Sequence, residues 1–212
     1  MFFFVSLYMQ QVLGWDALKS GLAYLPLAIT IILAAGIASV LVTKIGFKPV
    51  VITGLLSVAA GLFLFSRISA DGSFGGDILI PSLLAAVGLG FSFVPVTIGG
   101  TTGIAPDEAG LASGLINAGQ QVGGALGLAI LVTVSTTRLN SELEGIENPS
   151  PAQFASALVS GTGLAFWVAF VFIVVSFVVA ALLMKRESLA GKPVGLRFVR
   201  KDADLYAFRV KP

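Results

Sequence analysis

Long apolar runs alternate with short polar punctuation along the whole chain, and this pattern defines its elements. Met1 to Leu13 is apolar, with Ser6, Tyr8, Gln10 and Gln11 as its polar members. At the rise of an α-helix it reaches about 20 Å, short of a hydrocarbon core of about 30 Å. It therefore reads as the tail end of a spanning helix whose beginning lies outside the chain. Gly14 to Ser20 reads as a turn, with Trp15 suited to a membrane interface. Full-length spans follow at about 21–43, 49–66, 78–98, 109–134 and 158–184. Pro26 falls one to two turns into the second span, where it can kink the helix. The connections are a basic KIGFK loop at 44–48, a glycine-bearing polar loop at 67–77, a loop at 99–108, and a hydrophilic stretch from Arg138 to Gln153. Residues 1–186 thus predict an all-α, six-span membrane bundle with a shortened first helix, and 187–212 a basic, disordered cytoplasmic tail.

Composition strengthens this picture. Hydrophobic residues make up 56% of the chain and charged residues 11%, where a soluble domain carries about a quarter charged. With so few charges a soluble fold could not cover the apolar surface. The absence of Cys and His removes thiol catalysis, histidine metal sites and histidine proton relays. No phosphate loop, nucleophile–base pair or metal cluster is present, so the chain reads as neither an enzyme nor a cofactor binder. A net charge of +2 gives no footprint for nucleic acid. Lysine and arginine near the span ends set an orientation. The tail holds Lys185, Arg186, Lys192, Arg197, Arg200 and Lys201, which predicts a cytoplasmic C-terminus. Six crossings put the N-terminus on the same side and the KIGFK loop inside.

The fifth span carries the candidate chemistry. Its first part, Gly110 to Ile130, holds six glycines and the amides Asn117, Gln120 and Gln121, with no charge. At 100° per residue, Ser113, Asn117, Gln120, Gly124 and Gly127 share one narrow face. Gly119 and Gly123 lie about a quarter turn away; Gly114 and Gln121 lie on the other flank. Glycines in membrane helices permit close backbone approach, so Gly114, Gly119, Gly123 and Gly127 read as helix-packing positions. The amides serve either as interhelical glue or as the wall of a water-filled cavity that hydrogen-bonds a solute; three within five residues favour the cavity. Tyr8 and Gln11 stand evenly between an interfacial role and a contribution to the same cavity. Thr30 and Thr97 should bond back to their own helices. No span holds an interior Asp, Glu, Lys or Arg, so a proton-coupling group would lie elsewhere or in Asp16 or Asp107.

Three stretches carry a resemblance. SLYMQQVLGWDALKSGLAYLP and DEAGLASGLINAGQQVGGALGLAI resemble helix regions in the second half of the major facilitator superfamily, in its fourteen-span drug:proton antiporter branch (the EmrB/QacA type). SVLVTKIGFK is similar to that family's short cytoplasmic-loop motif, with Lys44, Gly46 and Lys48 at its basic and glycine positions and Thr43 where the motif prefers Asp. The resemblance covers about residues 1–185. It implies the C-terminal six-helix portion of a longer multi-pass transporter that exports amphipathic, often cationic compounds against protons. The implied partners are a small-molecule substrate, protons, the lipid bilayer, and a missing N-terminal half or a second copy. A homodimerising half-transporter or pore, and a non-transporting membrane subunit, are the alternatives.

Overall fold

The computed structural model describes residues 1–101, 104–105 and 108–183. All regular elements among them are helical: α1 (Phe2–Gln11), α2 (Ala17–Ala23), α3 (Leu25–Ile45), α4 (Phe47–Phe65), a π-helical turn (Phe74–Leu79), α5 (Ile80–Thr101), α6 (Ala109–Leu143) and α7 (Pro151–Leu183). Five segments are long and apolar enough to cross a membrane, Ala17–Ile45 counting as one; α1 is shorter. The tail at 187–212 lies outside the described residues.

Boundaries follow local chemistry. Asp16 caps α2 by accepting the Lys19 N–H at 2.7 Å. The helix then breaks at Tyr24, because Pro26 has no N–H to donate to Leu22; the second segment starts at Ala17, within the expected 14–20 turn, and is interrupted at Tyr24. Before α5, the backbone N–H of Ser73 bonds the Asp77 carboxylate at 2.8 Å while the Ser73 hydroxyl takes the Gly76 N–H at 3.2 Å. The π-helical turn ends at Ile80, whose N–H reaches the Gly75 carbonyl, immediately before Pro81 removes the next donor.

The hydrophilic stretch from Arg138 to Gln153 contracts to residues 144–150. Helix α6 runs on through Arg138, held by an Arg138–Glu142 pair one turn apart at 2.6 Å. Helix α7 starts at Pro151 rather than 158. Ser150 and Gln153 cap its start reciprocally, at 2.8 and 3.3 Å, and proline suits the first helical position. Polar residues here extend the helices beyond the apolar runs.

Helix α5 sits at the centre. It meets α4 and α3 along seams of small residues. A Cβ added at Gly61 would lie 2.8 Å from the Pro81 carbonyl and 2.9 Å from the Ala85 nitrogen. At Gly90 it would lie 2.6 Å from the Ala34 Cβ, and at Gly54 2.7 Å from the Ser92 hydroxyl. The Ser57 hydroxyl crosses the same seam to the Leu84 carbonyl at 2.7 Å. Helix α1 is wedged against α4 and α7. Its Phe4, Val5, Tyr8 and Met9 share a core with Leu62, Phe65 and Phe166, where Phe65 and Phe166 stack at 4.8 Å. Helix α6 joins α7 at Gly161, which abuts the Ser135 carbonyl.

Candidate functional site

The first two thirds of α6 stand apart from this packing. Across the most apolar stretch of α6 only 6% of residues are buried, against 44% for Phe74–Ile98. Asn117, Gln120 and Gln121 are exposed and Ser113 is half-buried. A Cβ added at Gly114, Gly119, Gly123, Gly124 or Gly127 would meet nothing within 4 Å. Measured from Ala109, Asn117 and Gln120 stand about 12 and 16 Å along the helix. The polar face and the glycine positions therefore share one stretch of α6 that no other helix of the chain covers. Among the described residues, the glycines that pack closely against another helix are instead Gly54, Gly61, Gly88, Gly90, Gly161 and Gly163. The spacing of Gly54 and Gly61, two turns apart on one face of α4, was the available signal.

The α1 candidates do not join this face. Tyr8 is 2% exposed, and its hydroxyl donates to the Ser69 carbonyl at 2.7 Å, beside Gly72 and Asp77. It anchors the loop between α4 and α5. Gln11 is exposed at the end of α1, on the side where Trp15 meets Phe74 at 5.3 Å. Asp16 is committed to its cap, and Asp107 lies outside the described residues. Thr30 and Thr97 bond back to Pro26 and Phe93 of their own helices, at 2.7 and 2.9 Å.

The basic loop shrinks to one linking residue. Lys44 lies in the last turn of α3 and Lys48 in the first turn of α4, and Gly46 alone joins the helices at φ 86° and ψ 174°, a region essentially restricted to glycine. Lys48 Nζ donates to the Ala181 carbonyl at 2.6 Å, in the last described turn of α7, where a cation complements the negative end of the helix dipole. Thr43 donates its hydroxyl to the Val40 carbonyl at 2.8 Å and forms no gating ion pair. Pattern reading could not foresee the Lys48 bond, whose partners lie 133 positions apart.

A second polar cluster was not singled out in the sequence. Arg138 Nε donates to the Ser160 hydroxyl at 3.1 Å, and that hydroxyl donates to Glu142 at 3.3 Å. Beside it a cavity of about 400 Å³ opens between α4, α6 and α7, lined by Ser66, Ile68, Val159, Leu164 and Trp167 among others. No three acids converge on one point among the described residues.

Relatives give this arrangement its context. The chain is 34% identical over 92% of its length to a puromycin resistance protein of Streptomyces alboniger, of which it spans 39%. It is 35% identical over 73% of its length to a cephamycin export protein of Amycolatopsis lactamdurans, spanning 30% of that protein. A multidrug transporter protein of Bacillus subtilis is 31% identical over 72% of the chain, which spans 29% of it. The chain thus covers well under half the length of each. The family model described as Major Facilitator Superfamily matches residues 1–128. With five membrane-length apolar segments in an all-helical fold and these relatives beside it, the chain is a multi-pass membrane protein of the Major Facilitator Superfamily.

Proposed function

We propose that this chain is the C-terminal six-helix portion of a longer secondary transporter that exports amphipathic, drug-like compounds in exchange for protons. The carrying observation is the uncovered face of α6, where Asn117 and Gln120 stand exposed among glycines that meet nothing within the chain. Burying unsatisfied amides in hydrocarbon is costly, so this face belongs against other helices or an aqueous cavity. The resistance and export roles in the names of the similar proteins supply the direction of transport. Alternating access would rock this bundle against a second one about a midplane site.

In this reading Asn117, Gln120, Gln121 and Ser113 hydrogen-bond the solute from one wall. Gln11 stands at one mouth, while Tyr8 holds the loop beside it. Gly114, Gly119, Gly123 and Gly127 allow helices outside this chain to approach α6. The Lys44–Lys48 end faces the cytoplasm of an inner membrane, with both ends of the segment on that side. Proton coupling falls to other groups, since among the described residues no acid stands beside the amides.

Replacing Asn117 and Gln120 together with Leu in the full-length transporter should leave its membrane level intact and lower drug export at least tenfold, measured as efflux of a fluorescent cationic drug. Unchanged efflux at normal expression would refute the cavity role. A functional dimer of the 212-residue chain alone in liposomes would replace the missing half with a second copy.

A further inference from the structure

The outer surface of α4 and α7 carries an aromatic platform with a charge on its rim. Phe63, Trp167 and Phe170 form a triangle with ring centroids 5.0 to 6.2 Å apart. The Arg67 guanidinium lies over Phe63, 5.0 Å from the ring centre. Phe63 and Trp167 are 37% and 46% exposed, so the platform faces outward, and the cavity between α4, α6 and α7 continues it past Leu164. Arg67 and Lys48 stand at opposite ends of α4, about 28 Å apart along the axis. That matches a hydrocarbon core of about 30 Å and sets Arg67 at headgroup depth, with the rings just inside it.

The charges around the platform are not balanced. Arg138, across the cavity, is neutralised by Glu142 at 2.6 Å. Arg67 has no carboxylate partner among the described residues. A single uncompensated cation above exposed aromatic rings complements an anion joined to an apolar chain. The platform is also remote from the amides, since Arg138 stands about 25 Å along α6 from Gln121.

We propose that this groove is a selective site for an anionic phospholipid, its phosphate on Arg67 and its acyl chain along Phe63, Trp167 and Leu164. Lipid here bridges the end of α4 and the middle of α7, far along α4 from Lys48. The inference requires only that the chain is membrane-embedded, and stands whether or not the transport reading does.

Only Trp15 and Trp167 are present, so Trp15→Phe leaves Trp167 as sole reporter. The full chain carrying that change is reconstituted in phosphatidylcholine vesicles with a small fraction of either brominated phosphatidylglycerol or brominated phosphatidylcholine. Phosphatidylglycerol should quench Trp167 with about fivefold higher apparent affinity, the size expected for one basic residue at a lipid surface. Added salt should reduce the preference. Arg67→Gln should abolish it and Arg67→Lys should retain it. Equal quenching by the two lipids, or a preference surviving Arg67→Gln, overturns the proposal.

Discussion

Gly46 and Gly61 serve different ends. Gly46 stands alone between two membrane helices at φ 86°, so Gly46→Ala should cost about 1 to 3 kcal/mol in strain, read as a lower melting temperature in detergent. Gly61 is helical, and its cost is steric. An added Cβ would lie 2.8 Å from the Pro81 carbonyl of α5, which cannot yield without parting the helices. Gly61→Val should therefore lower thermal stability more than Gly119→Val, whose position meets nothing within the chain. Equal losses in the 212-residue chain would mean that the α4–α5 seam is loose. Every one of these glycines is visible in the sequence, yet composition cannot separate them. A glycine used for its torsion, one used for close approach and one left without a neighbour look alike until the facing backbone is known.

Between elements, the contact between α4 and α7 is pinned at one end by Lys48 and near the other by Gly163, where an added Cβ would lie 3.1 Å from the Ser66 carbonyl. A charge-assisted hydrogen bond of this kind contributes about 1.5 to 3 kcal/mol. Lys48→Met should loosen that end, seen as a broader spin-label distance distribution between positions 51 and 178, while Lys48→Arg should preserve it. Thr43, at the acidic position of the loop motif, is satisfied by its own helix. Thr43→Val should accordingly change the same distribution little. Helix α6 shows the opposite economy, joined to α7 at Gly161 and exposed along the stretch that bears the amides. Its length was underestimated in sequence because Arg138 and Glu142 break the apolar run. On a helix, charges four residues apart pair and prolong it.

At the scale of the molecule, the helices alternate in direction, so Gly46 and the end of α7 share one face while Gly14, Asp71 and Gly145 share the other. The chain has no Cys, so single cysteines report sidedness cleanly. Cysteines at positions 71 and 146 should react with a membrane-impermeant maleimide from one side, and one at position 44 only from the other. Labelling of all three from a single side would break the topology. The all-helical, multi-pass character of the chain was legible in sequence, because a bilayer forces each crossing to be a long, apolar, internally bonded helix. The amide face of α6 was legible too, since helical periodicity alone fixes which residues share a face. What required the tertiary structure was every relation between segments. It carried Tyr8 into the core beneath a loop, set Lys48 against a carbonyl 133 positions away, and paired the α4 glycines with α5 while leaving those of α6 open. A membrane imposes the same apolar solvent on all helices, so burial within the bundle is decided by shape and hydrogen bonding between partners, which no single segment encodes.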